Sequence, residues 1–244
     1  MTDVLFVHGS WHGGWTWDGI APPLRDQGHR VLTPCLLGLG RDAAHLHAGI
    51  GLVEHVDQLE ALVHEEDLQD FLLVGHSYGG ALAHALEGRI AHRLHAVVHL
   101  EGAIPAPGEG IITMWPEARR SATLQQVEAT GEGWRVDPPD PRTWGGMSDE
   151  QADWLAPKLT PQSIKTYRDV MPADLEAAPC VHYYLYAHDR VPQPYQAVIE
   201  RFSAEPNWQL AATFGGHELM FTNPEAVMRV IEIALDGGAL PARL

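Results

Sequence analysis

The chain has 244 residues, 45% hydrophobic and 20% charged, which suits one well-filled globular domain and excludes a disordered or membrane-embedded chain. Asp and Glu number 32 against 16 Lys and Arg, and the formal net charge of −16 repels phosphate backbones and anionic lipid. Neither a nucleic acid nor a membrane is therefore an expected partner.

The N-terminus, "MTDVLFVHG", reads as a strand over Val4 to Val7, without the basic and apolar regions of a signal peptide, so a cytoplasmic location is expected. "WDGIAPPLRDQGH" reads as a helix closing near Gly28, with Pro22 and Pro23 near its middle, and "RVLTP" as the next strand. Val53, Val56, Leu59, Leu62 and Val63 recur at three- and four-residue spacing, the mark of an amphipathic helix. "FLLVG" is apolar at every position, as expected of a strand covered on both faces of a parallel sheet. A helix follows from about Gly80, then the strand "LHAVVHL".

Between about residues 104 and 178 the alternation lapses into a Pro- and Trp-rich stretch with short helical pieces, "MSDEQADWLAPKL" and "PQSIKTYRDVM". It resumes with strand "VHYYLYA", helix "PYQAVIERF" and strand "WQLAATF". A last helix opens at Asn223-Pro224, an N-cap followed by proline at the first helical position. The pattern predicts an α/β fold: one domain over 1–244, a mostly parallel sheet with helices on both faces, and an inserted helical cap.

At the junction of the all-apolar strand and its helix stands Gly75-His76-Ser77-Tyr78-Gly79. This Gly-x-Ser-x-Gly pattern builds a nucleophile elbow, in which small residues let a strand reverse into a helix and lift the serine hydroxyl clear of the sheet. The pattern alone is weak, but its strand-turn-helix setting is what the mechanism demands. Of the 15 histidines, His217 lies in the glycine-rich loop "FGGHELMFTNP" before the last helix, where the general base belongs in the chain order serine, acid, histidine. Asp189 ends the penultimate strand in "YYLYAHDRVP" and is the preferred acid; Glu101, closing "VVHLEG" after the nucleophile strand, is the alternative. Backbone N–H groups of Ser10 and Tyr78 are expected to form an oxyanion hole, with Trp11 competing for the first position.

"FVHGSWHGGWTW", "LLVGHSYGGALA", "YAHDRVP" and "GGHELMFTNPEAV" together resemble the α/β-hydrolase superfamily over nearly the whole chain. More narrowly the chain is similar to the branch of plant methylesterases, hydroxynitrile lyases and small bacterial esterases, some acting on carbamate esters. The resemblance implies a Ser77, Asp189, His217 triad and a cofactor-free site under a helical cap. Hydroxynitrile lyases of this branch carry lysine after the catalytic histidine. Here Glu218 stands there, and its negative charge opposes cyanide handling, so the lyase ranks second to the esterase. A non-catalytic ligand receptor on the same fold is a further alternative.

Other motifs carry less. Gly9 and Gly14 have Walker spacing, but Trp15 stands in the lysine position, and "GLGRDA" (Gly38 to Ala43) lacks a dinucleotide-binding unit around it. His8 and His12 do not share a helix face, and Cys35 and Cys180 form neither a metal-type pair nor a disulfide framework, so no metal or cofactor is expected. Tryptophans crowd the entrance loop and cap. Most must pack the cap on the core, while Trp11, Trp115, Trp134 and Trp144 are candidates for binding a small apolar or aromatic ester, or a methyl carbamate. The oligomeric state, monomer or homodimer, is left open.

Overall fold

A computed structural model describes residues 1–175, 178–190 and 195–244. Strand β1 (Asp3–Val7) leads through a 3-10 turn to α1 (Ala21–Asp26) and β2 (Arg30–Leu32). Then come α2 (Leu52–Glu65), β3 (Phe71–His76), α3 (Tyr78–Ile90) and β4 (Leu94–Leu100). The prolines do not interrupt α1. They occupy its first turn, where the missing N–H costs nothing, so the helix begins later than its sequence pattern predicts.

Between β4 and the next sheet strand lie α4 (Glu117–Ala129), β5 (Arg135–Val136), α5 (Asp149–Leu155), β6 (Gln162–Ser163) and α6 (Lys165–Arg168). Strands β5 and β6 form a separate antiparallel ladder, so "PQSIKTYRDVM", expected as a short helical piece, is a short strand followed by a single helical turn. The chain then continues through β7 (Val181–Ala187), α7 (Gln196–Phe202), β8 (Trp208–Thr213), α8 (Leu219–Thr222) and α9 (Pro224–Leu235). The opening Pro194 of the segment read as helix α7 lies outside the described residues. Asn223 caps α9 by accepting the Ala226 N–H at 3.2 Å.

The sheet runs β2-β1-β3-β4-β7-β8, every neighbouring pair parallel. On one face α2 and α3 pack Leu52, Val56, Leu59 and Val63 against Leu73 and Leu82; on the other, α1 and α9 pack Leu24, Val227 and Ile231 against Phe6 and Val74. Burying each such side chain stabilises by about 2 kcal/mol. The buried seam of α2 starts at Leu52, one residue before the expected Val53, which is 42% exposed. Covered on both faces, β3 is buried at all six positions, and its C-terminal end delivers Ser77 to the edge where ligands enter such sheets.

Candidate active site

Ser77 has φ 53° and ψ −115°, a conformation a side-chain-bearing residue adopts only under constraint. The constraint is visible. Ser77 N–H donates to the Leu100 carbonyl at 3.0 Å, and the Ser77 carbonyl accepts from Gly80 and Ala103, each at 2.9 Å. The glycines of the motif permit this packing: a Cβ on Gly75 would lie 2.4 Å from the Gly79 carbonyl oxygen, and one on Gly79 would lie 2.3 Å from that of Val7.

His217 Nε2 sits 2.9 Å from Ser77 Oγ, and its Nδ1 is 3.2 Å from Glu101 Oε2. Asp189, the preferred acid in the sequence, is not at Nδ1. Its carboxylate accepts the backbone N–H groups of Gly215 at 3.1 Å and Gly216 at 3.3 Å, bracing the loop that carries His217. The reason is position along the strands. Glu101 directly follows β4, at φ 49°, and its long side chain reaches the imidazole, whereas Asp189 lies beyond the end of β7 and meets the loop backbone first.

Glu101 is fully buried and its oxygens are shared out: one accepts the Ala187 N–H at 2.7 Å, the other faces both His217 and the Arg190 guanidinium. Burial raises its carboxyl to about 6, although Arg190 and the Ala187 N–H pull it down. Burial likewise holds the His217 imidazole well below its usual 6.5, and the Arg190 charge adds to this. A neutral imidazole facing a serine hydroxyl can accept its proton at neutral pH. Arg190 Nη1 is 3.1 Å from His217 Nδ1 because both donate toward the same carboxylate oxygen. Tyr195 lines the same cavity, and the Arg190 guanidinium carbon sits 5.6 Å from the centre of its ring.

The loop after β1 runs beside the elbow. Trp11 holds φ 64°, and its N–H donates to Gln162 Oε1 at 3.0 Å while its carbonyl accepts from Thr160 at 2.9 Å. The Trp11 N–H is thus engaged by the cap, while Ser10 and Tyr78 both line the cavity at Ser77. Deeper, Glu218 Oε2 lies 3.3 Å from His12 Nε2, both buried. Burial opposes charging of either group, yet each holds the other charged, raising the imidazole of His12 and depressing the carboxyl of Glu218. Glu218 is not among the residues lining the cavity at Ser77. His8 bonds instead to Gly9 and Leu36, so it and His12 have separate partners. His76, His217 and Glu218 bring donor atoms within 4.8 Å of one another, but Ser77, Glu101 and His12 already engage two of these side chains. The "GLGRDA" segment folds into a 3-10 turn in which Asp42 accepts the Gly38 N–H at 2.7 Å.

A cavity of about 30 Å³ at Ser77 adjoins an outer chamber of about 490 Å³. Trp11, Trp115 and Trp144 line both. Trp134 is not among the lining residues; its backbone is used in the turn before β5, where the carbonyl accepts the Ile164 N–H at 2.7 Å. Arg119, Arg190, Tyr195 and Ile111, which no sequence motif marks as site residues, also line the cavity. Nothing in their local sequence distinguishes them, because long-range packing brings them there.

The cap loop also grips the histidine loop. The His217 N–H donates to the Trp144 carbonyl at 3.2 Å, and a Cβ on Gly146 would stand 2.1 Å from the Gly215 carbonyl oxygen.

The family model described as "Alpha/beta hydrolase family" matches residues 4–230. The "Carbendazim hydrolyzing esterase" of Nocardioides sp. is 29% identical over 231 residues, covering 92% of this chain and 96% of that protein. Arabidopsis thaliana "Methylesterase 18" is 32% identical over 114 residues, a match spanning 46% of this chain and 42% of the relative. Among solved structures, an extracellular alpha/beta-hydrolase from a Paenibacillus species superposes with a TM-score of 0.82 at 20% identity, covering 96% of this chain and 99% of that one. At that identity the likeness establishes the fold. Matched over almost its full length, the chain is an enzyme of the alpha/beta hydrolase family.

Proposed function

We propose that the protein is a serine-dependent carboxylic-ester hydrolase acting on methyl esters, or methyl carbamate esters, of small aromatic compounds. The observation that carries this reading is the line Ser77 Oγ, His217 Nε2 at 2.9 Å, and Glu101 Oε2 3.2 Å from His217 Nδ1. Glu101 is the acid of this triad and Asp189 a support of the histidine loop.

In this reading His217 takes the Ser77 proton as Oγ attacks the carbonyl carbon. The N–H groups of Ser10 and Tyr78 hold the oxyanion, and Glu101 stabilises the imidazolium. His217 then returns the proton to the departing alcohol, and water releases the acyl or carbamoyl group by the same steps. Two features support a flat substrate: tryptophans line the path to Ser77, and the outer chamber falls within the size of small-molecule sites. The relatives named as esterases support the choice of an ester, and the carbendazim-hydrolysing relative supports a carbamate.

The test is hydrolysis of p-nitrophenyl acetate and of an aryl methyl carbamate by wild type and Ser77→Ala, with mandelonitrile alongside. Turnover of an ester that disappears in the variant is the expected result. Cyanide release without ester cleavage would replace the esterase by a lyase.

A further inference from the structure

The cavity at Ser77, about 30 Å³, is far smaller than the adjoining chamber of about 490 Å³. The space for the body of a substrate is therefore the outer chamber, with its scissile group reaching in to the nucleophile. Arg119 lines both spaces. It belongs to the first turn of α4, and its guanidinium carbon sits 4.4 Å from the centre of the Trp115 ring, a cation–π contact that keeps it against the chamber wall.

Two arginines share this wall, but they are not equivalent. Arg190 is taken up by Glu101, whose same oxygen also faces His217. Among the described residues no ion pair joins Arg119 to a carboxylate, in a chain with twice as many acidic as basic residues. The chamber's own carboxylate, Asp137, is engaged by Arg135 at 3.3 Å and by Gln126 Nε2 at 3.0 Å. The charge of Arg119 is felt inside: it favours the ionised forms of the Tyr167 and Tyr195 phenols and disfavours protonation of His217. Arg119 thus brings a positive charge to the lining of the site on a protein of net charge −16.

We propose that Arg119 is the binding site for a carboxylate on the far end of the substrate, so that the preferred substrates are half-esters of aromatic dicarboxylic acids. The inference rests on the esterase reading and names its substrate class. A planar guanidinium held on a tryptophan face offers parallel N–H groups to a carboxylate while the indoles clasp the aromatic ring. In the reaction Ser77 Oγ adds to the ester carbonyl carbon as His217 takes its proton; the acyl C–O bond to the methoxy group then breaks, and methanol leaves with the proton from His217. Water then yields the free dicarboxylate.

The experiment measures binding and turnover separately. Affinities of Ser77→Ala for methyl benzoate and for the monomethyl esters of phthalate, isophthalate and terephthalate are compared by calorimetry, then repeated in Ser77→Ala/Arg119→Gln. At least one half-ester should bind about tenfold or more tightly than methyl benzoate, with the preference weakening as salt rises and collapsing in the double variant. In enzymes with Ser77 intact, the ratio of kcat/KM for that half-ester over methyl benzoate should fall correspondingly in Arg119→Gln and fall further in Arg119→Glu. Equal binding of all four compounds, or a preference that survives Arg119→Gln, overturns the subsite. Absence of turnover despite selective binding overturns the esterase reading and leaves the carboxylate site standing.

Discussion

Glu101 Oε2 stands 3.2 Å from His217 Nδ1, while the Asp189 carboxylate is bonded to the backbone of Gly215 and Gly216. One carboxylate faces the base and the other holds its loop. Glu101→Gln should lower kcat by about 10³- to 10⁴-fold, because the tautomer and imidazolium support are lost. Asp189→Asn should cost less than about tenfold and lower the thermal midpoint. The reverse ranking in steady-state assays would return the acid to Asp189.

The Glu101 carboxyl titrates at about 6, raised by burial. Above that pH it is charged and supports the imidazolium; below it the support is lost, so kcat/KM should fall as pH drops through about 6. Arg190 holds both the Glu101 carboxyl and the His217 imidazole down. Arg190→Met should therefore move the acidic limb of the kcat/KM profile to higher pH. A limb that stays fixed in this variant contradicts the arrangement.

Glu218 and His12 form a buried pair whose stability contribution has a defined window. The Glu218 carboxyl is depressed below 4.5, so its contribution is complete above 4.5 and is lost as pH falls through its folded value. The His12 imidazole is raised above 6.5, so its contribution is complete below 6.5 and is lost as pH rises through its folded value. Glu218→Gln should destabilise by about 3 kcal/mol between these limits, because a buried imidazolium loses its partner. Thermal midpoints of wild type and variant should converge on either side. A difference independent of pH would mean that packing, not charge, accounts for the loss.

Gln162 reaches from the cap to hold the Trp11 N–H at 3.0 Å, while its amide nitrogen donates to Thr166 Oγ1 at 2.6 Å. Gln162→Ala releases the strained Trp11 backbone next to Ser10. As the proposed oxyanion donor, the Ser10 N–H should then be misplaced, lowering kcat by roughly ten- to a hundredfold with a smaller change in KM. Gln162→Glu keeps the acceptor and should recover some of the rate; equal losses in both variants would assign Gln162 to folding alone.

The strands, their parallel order and the serine elbow were legible because each depends on short-range pattern. "FLLVG" is apolar throughout because both sheet faces are covered, and Gly75 and Gly79 are small because backbone passes within 2.4 Å of where their Cβ atoms would be. His217 was legible from its loop between the last strand and the last helix. The partner of its Nδ1 was not: Glu101 and Asp189 both follow strand ends, and side-chain length and strand offset chose between them. Trp134, Arg119 and Arg190 were equally undetermined, since which residues of the cap and its neighbouring loops face Ser77 depends on contacts between residues far apart in sequence, and no local periodicity encodes those.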